Sequence, residues 1–269
     1  VPDLHPTFAK VIARLERRSP LGEAGRSALL GLPYTFRKLA AGAHIVRDGD
    51  KAEYCAVLLS GFAFRYKITG DGGRQIISIH MASEFVDLQH SFLGVADTSV
   101  QTLTESEVAL IPRGAIEELA LTQPAVGRAL WIDTLIDASI FREWVVNVGR
   151  RDSRARIGHI LCEFSLRLES AGLARNHRYE LPMTQEQLAD AVGLTSVHVN
   201  RVLRQLGEGG ADQPRQAPHR HRGLAAAARR RRLQRALPPP RRGRGGAGRG
   251  LIHLVASRHR LDHHRLPPQ

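Results

Sequence analysis

A chain of 269 residues, 42% of them hydrophobic, holds material for one or two packed domains, and it has no apolar run near the ~20 residues of a membrane span. Its two cysteines, Cys55 and Cys162, lie far apart with no CxxC, which suggests a reducing compartment and gives no support for a cysteine-ligated zinc or iron–sulfur site. The net charge of +13 looks like a nucleic-acid signature, but from Gly209 onward there are fifteen Arg, no Lys, two Asp and no Glu, so this tail carries all of it and residues 1–208 are electrically balanced.

The first residues, VPDLHPTFAKVIARLERR, lack the apolar core of a signal peptide, so a cytoplasmic location is expected. Residues 7–18 and 22–31 read as short helices, the first with Phe8, Val11, Ile12 and Leu15 on one face. From Tyr34 the period changes. Phe62, Phe64, Tyr66 and Ile68 alternate with Ala63, Arg65 and Lys67, the pattern of a half-buried strand, and the turn TGDGG leads into a returning strand, RQIISIHM. AHIVR, YCAVLLS, TSVQTLT and SEVALIP are further β-rich pieces bounded by Gly, Asp, Ser or Pro. Short strands at this spacing predict a small antiparallel barrel or jelly roll of roughly 80 residues.

RGAIEELALTQ then reads as a short helix, and Pro124 suits the first turn of a long one over 124–149. That helix is apolar on two stripes, with Trp131, Leu135, Ala138 and Val145 on one and Ile132, Ile136, Ile140 and Trp144 on the other. A helix with a single partner needs one stripe. The second predicts a dimer interface, assigned to Ile132, Ile136, Ile140 and Trp144; the alternative is a central helix buried within one subunit. Asp152 can cap a further helix, RARIGHILCEFSLRLESAG, ended by Gly172, and the strand-like HRYELP follows.

Residues 185–204, QEQLADAVGLTSVHVNRVLR, have the spacing of a helix-turn-helix. Ala189 falls where the helices cross, Gly193 falls at the turn, and Leu188, Val192, Leu194, Val199 and Val202 take the apolar positions. Thr184 with Gln187 fits a capping box, and Thr195 can cap the second helix. The competing reading is a two-helix hairpin in a plain core domain. Counting Thr195 as the start of the recognition helix, the DNA-facing residues are Thr195, Ser196, Val197, His198, Asn200, Arg201 and Arg204. No nucleophile–base spacing, phosphate loop or metal quartet is present, so an enzyme is not expected.

The Gly42, Gly49-Asp50 and Ser60-Gly61 punctuation resembles the cyclic-nucleotide-binding β-roll, and the order β-roll, long helix, helix-turn-helix over residues 10–208 resembles the Crp/Fnr family of bacterial transcription regulators. The resemblance implies an α+β fold: a sensor β-roll with flanking helices in 1–123, a dimerisation helix in 124–150 and a DNA-binding domain in 151–208. The Arg-, Pro- and Gly-rich composition of 209–269, with no apolar periodicity, predicts a disordered tail beyond it. The resemblance also implies a homodimer on an inverted-repeat operator in double-stranded DNA, with RNA polymerase as a further partner and no membrane. At the family's base-reading positions stand Ser196, Val197, Asn200 and Arg201, with Val197 in place of an acidic residue.

Two departures qualify the resemblance. Where the family's cyclic-AMP receptors have Gly-Glu-Leu and, ten residues on, Arg-Ser, this chain has Val86-Asp87-Leu88 and Asp97-Thr98. Asp87, Leu88, Asp97 and Thr98 are thus the candidate effector residues, yet Asp97 puts a carboxylate where a guanidinium would pair a phosphate. Cyclic AMP is not expected, and no cofactor is predicted. The second departure is the tail, where Arg, Pro, Ala and Gly dominate in place of a wing. That composition is what a GC-rich gene read out of frame yields; the rival is a basic arm on the phosphate backbone. If the lost wing disables DNA binding, the alternative function is a small-molecule-binding signalling module.

Overall fold

The structure, a computed structural model, describes residues 6–173 and 179–208. The tail and missing wing expected from 209 onward lie outside the described residues. Two helices come first, α1 (Pro6–Arg18) and α2 (Gly22–Leu30). The apolar face predicted for α1 is buried through Phe8, Val11, Ile12 and Leu15.

Seven strands follow: β1 (Thr35–Leu39), β2 (His44–Val46), β3 (Tyr54–Ser60), β4 (Phe62–Ile68), β5 (Arg74–Met81), β6 (Ser99–Thr102) and β7 (Ser106–Pro112). They form two antiparallel sheets in the orders β1-β7-β3 and β2-β6-β4-β5, a jelly roll. Its narrow interior is filled by aliphatic side chains, among them Ala56, Leu58, Ala63, Val86, Val100 and Val108. Between β3 and β4, Gly61 has φ +80°, and a Cβ there would meet the Glu105 carbonyl oxygen at 2.5 Å, so this corner requires glycine. A short helix, α3 (Leu88–Leu93), which the sequence reading lacked, forms between β5 and β6.

Strand β4 corrects one expectation. Its alternation predicted one dry and one wet face, but both faces are covered from Ala63 to Tyr66. Phe64 and Tyr66 point away from the barrel interior and join Ile76, Ile79 and Met81 of β5 in a cluster with the C-terminal helices.

The helices after the β-roll are α4 (Arg113–Thr122), α5 (Pro124–Arg150), α6 (Ser153–Ser170), α7 (Gln185–Val192) and α8 (Ser196–Glu208). Asp152 caps α6 as predicted, its carboxylate accepting from Ala155 N at 2.8 Å. Residues 179–182, read as part of a strand, belong to no sheet; the Tyr179 hydroxyl donates instead to Leu161 O at 2.7 Å.

Helix α5 bridges two cores. Val126, Ala129 and Leu130 pack with α1, α2 and α4, whereas Trp144 packs with Ile157, Ile160, Leu161 and Phe164 of α6. Trp144 is 3% exposed and its Nε1 donates to Glu163 Oε2 at 2.7 Å. It therefore has no surface to offer a second chain, which corrects its place in the predicted dimer interface. Ile132, Ile136 and Ile140 are half-buried, and Ile140 lies against the same inner cluster. The face left open is the other side of the helix, with Trp131 (66% exposed), Leu135, Phe141, Val145 and Val146.

Buried ion pairs tie these layers together. Glu84, after β5, accepts from Arg14 of α1 and from Arg167 of α6, each at 2.8 Å. Asp133 of α5 takes Arg14 and Arg18 at 3.3 and 2.9 Å. Glu84 stays ionised because the Arg167 and Arg14 guanidiniums outweigh the cost of its desolvation.

Candidate nucleic-acid interface

Helices α7 and α8 form the predicted helix-turn-helix. Thr184 makes both bonds of the capping box, its hydroxyl accepting from Gln187 N at 3.1 Å while the Gln187 side chain accepts from Thr184 N at 2.9 Å. Gly193 ends α7 at φ +63°, a left-handed conformation that glycine adopts without Cβ strain. The Thr195 hydroxyl accepts from His198 N at 3.3 Å at the start of α8. Leu188, Ala189, Val192, Val199 and Val202 are all buried beneath the pair.

The upper face of α8 faces solvent. Thr195, Ser196, Val197, Arg201 and Arg204 are exposed, and His198 and Asn200 are half-buried. Ser196, Val197, Asn200, Arg201 and Arg204 recur at helical spacing on one side and line a cleft with Gln185 of α7. Gln185 was read only as the first position of the motif. In the structure its Oε1 accepts a hydrogen bond from Asn200 Nδ2 at 3.0 Å. Sequence spacing carries no sign of that contact, which depends on how the two helices cross.

The unit is fixed to the β-roll through α7. Arg74 Nε donates to Asp190 Oδ2 at 2.7 Å and Gln75 Nε2 to Asp190 O at 2.8 Å. The Arg74 guanidinium also lies 5.4 Å from the Phe64 ring centre, within cation–π range. From α6, Arg156 NH1 donates to Val192 O at 3.1 Å.

Of the candidate effector residues, Asp97 and Thr98 meet at His90, whereas the Asp87 and Leu88 side chains point into the interior. Asp87 is turned inward: its carboxylate accepts from Ala56 N at 2.6 Å, and burial pushes its pKa up to about 7 against that bond and the charge of Arg65. Leu88 is buried in the core beneath α3. The Asp97 side chain is largely exposed, and its Oδ1 lies 2.9 Å from Nε2 of the buried His90, which also lies 3.1 Å from Thr98 Oγ1. Arg65, assigned to a wet strand face by its alternation, is instead buried between the β-roll and α5. It donates to Val86 O at 2.8 Å, Gln89 Oε1 at 3.2 Å and Asp137 Oδ2 at 3.1 Å. Among the described residues no cluster of three or more His, Cys, Asp or Glu is placed to hold a metal ion, and no helix is long and apolar enough to cross a membrane.

Comparison with known proteins agrees with this architecture. A cyclic nucleotide-binding domain matches residues 36–123, and a Crp-like helix-turn-helix domain matches residues 155–216. The transcriptional activator protein FnrL of Cereibacter sphaeroides is 29% identical over 178 residues, covering 65% of this chain and 71% of that protein. The nitrogen fixation regulation protein FixK of Azorhizobium caulinodans is 25% identical over 214 residues, covering 77% and 83%. Among solved structures, FixK2 from Bradyrhizobium japonicum superposes with a TM-score of 0.61 at 25% identity, covering 69% of this chain and 90% of that one. With a jelly roll, a long helix and a helix-turn-helix in one order, and with these relatives, the chain belongs to the Crp/Fnr family of DNA-binding transcription regulators and is not an enzyme.

Proposed function

We propose that this regulator acts in the cytoplasm as a homodimer that reads an inverted-repeat operator, one recognition helix per half-site. The division of labour is a β-roll in 1–123, pairing through 124–150 and DNA binding through 151–208. The observation that carries the reading is the single polar face of α8, open to solvent above a sealed apolar underside. On it, Arg201 pairs bidentately with guanine O6 and N7, Asn200 pairs with adenine N6 and N7, and Val197 meets a thymine methyl. Thr195, Ser196, His198 and Arg204 complete the surface, with Arg204 on the backbone. Pairing uses the outward stripe of α5, where Trp131, Leu135, Phe141, Val145 and Val146 are all open; an apolar stripe of this length on a lone chain calls for a partner. RNA polymerase is the further partner proposed for this regulator.

The β-roll does not fit a cyclic nucleotide. Asp87 spends its carboxylate on Ala56 N, Asp97 would repel a phosphate, and Arg65, buried between the β-roll and α5, is already paired with Asp137. The regulator therefore binds DNA without cyclic AMP. Mobility shift with a duplex recovered by binding-site selection tests this: affinity should be the same with and without millimolar cyclic AMP. Binding that ignores sequence, or that needs the nucleotide, would refute it.

A further inference from the structure

We propose that Gln185 is a specificity-determining positioning residue, which holds the Asn200 amide in the one orientation that reads adenine. The inference rests on the reading above that Asn200 faces a base edge. Gln185 opens α7 and Asn200 lies in the second turn of α8, so the bond from Asn200 Nδ2 to Gln185 Oε1, 3.0 Å long, crosses between the two helices. Both side chains are half-buried and line the cleft that also holds Ser196, Val197, Arg201 and Arg204.

The terminal torsion of asparagine is broad and two-fold, so a free amide turns over at little cost. One orientation presents C=O to the adenine N6 amine and N–H to N7. The reverse aims the NH2 group at O6 of guanine. An unrestrained Asn200 would accept either purine. Gln185 Oε1 is an acceptor and bonds only the NH2 side of Asn200, which removes the second orientation. The amide has two N–H groups. The one far from its carbonyl goes to Gln185, leaving C=O and the near N–H, the pair that adenine requires.

The Gln185 amide is oriented in turn by the DNA. The first helix of a helix-turn-helix crosses the phosphate backbone, so the Gln185 NH2 group turns outward to the phosphates and its oxygen turns inward to Asn200. A carboxylate at 185 would be an acceptor in either orientation and would keep the restraint, while repelling the backbone.

The test is binding-site selection from randomised duplex with the full chain and with Asn200→Ala, Gln185→Ala and Gln185→Glu, then affinities for the selected operator and its A-to-G variant. The parent should favour adenine at one position per half-site, and Asn200→Ala should lose that preference. Gln185→Ala should lower the A-to-G ratio there by roughly tenfold, the value of one bidentate contact, with discrimination at the Arg201 position intact. Gln185→Glu should keep the ratio while binding more weakly overall. If Gln185→Ala keeps the parent's ratio while Asn200→Ala loses it, Asn200 reads its base unaided and the inference falls alone. An Asn200→Ala protein with every preference unchanged removes both the base reading and the inference. A uniform loss of affinity in both Gln185 variants, with the ratio preserved, means Gln185 only supports the fold and also overturns the proposal.

Discussion

Replacing Glu84 by Gln keeps the side-chain volume and removes the charge on which three layers converge. Glu84 is 4% exposed and holds Arg14 and Arg167 at 2.8 Å each, with His80 Nδ1 at 3.5 Å. Breaking a buried pair by deleting one charge costs about 3–5 kcal/mol. Here each arginine keeps another carboxylate, Asp133 for Arg14 and Glu163 for Arg167, both at 3.3 Å. The Gln carbonyl also still accepts one bond. A loss of about 2–4 kcal/mol is therefore expected. Burial pushes the Glu84 pKa up, but the charges of Arg167 and Arg14 outweigh it and hold the carboxyl well below the usual glutamate value. A depressed pKa stabilises the fold above the unfolded value, about 4.3, and that contribution fades as pH falls towards the folded value. The gap between the parent and Glu84→Gln should thus be flat from about pH 6 to 8 and close below about pH 4. Urea titration followed by tryptophan emission is a suitable assay, because Trp144 is sealed between α5 and α6 and reaches water only when they part. A loss below about 1 kcal/mol, or a gap that stays constant down to about pH 3, would show that the carboxylate does not hold the layers together.

Three further outcomes are expected. Leu135→Glu on the outward stripe of α5 should convert dimers to monomers or aggregates by light scattering, since a charge at that seam would be buried unpaired; an unchanged dimer would place the interface elsewhere. Arg201→Ala should cost about 1–3 kcal/mol in operator binding and relax choice at one base pair per half-site, and an unchanged selected sequence would show that Arg201 reads no base. Asp87 has a raised folded pKa of about 7, so its stability contribution is complete below the unfolded value near 3.9 and is lost as pH rises towards 7. Asp87→Asn, neutral throughout, should gain in Tm relative to the parent between pH 5 and pH 8, and an equal difference at both pH values would mean Asp87 is ionised in the fold.

The helix-turn-helix was legible because each of its signals is local: the Thr184 and Gln187 pair three positions apart in a turn, Gly193 at the reversal, and apolar residues at helical spacing. Strand β4 was legible from its alternation for the same reason, whereas β1 shows no such pattern and was not read. What alternation cannot give is the identity of the second face. Arg65 reads as a solvent-side residue until α5 is laid over it and Asp137 arrives from 72 residues away. Burial along α5 is equally hidden. Trp144 and Val145 are equally apolar in the sequence, and only the packing of α6 determines that the first is sealed and the second open. The inward turn of Asp87 depends on a backbone N–H supplied by a strand 31 residues earlier. Contacts of that range leave no periodic trace.

The apolar cluster that joins β4 and β5 to α6, α7 and α8 limits how far this regulator can be treated as interchangeable parts. Ile160, Phe164, Leu188 and Val192 share one cluster with Phe64, Tyr66, Ile76 and Ile79. An excised 151–208 fragment would expose that seam to water and should self-associate when expressed alone. A chimera carrying this recognition helix on a foreign sensor would need the outer face of the β4–β5 hairpin grafted with it, Arg74 and its bond to Asp190 included. Recombination at the end of α5, where the sequence most invites a cut, would divide a single hydrophobic interior.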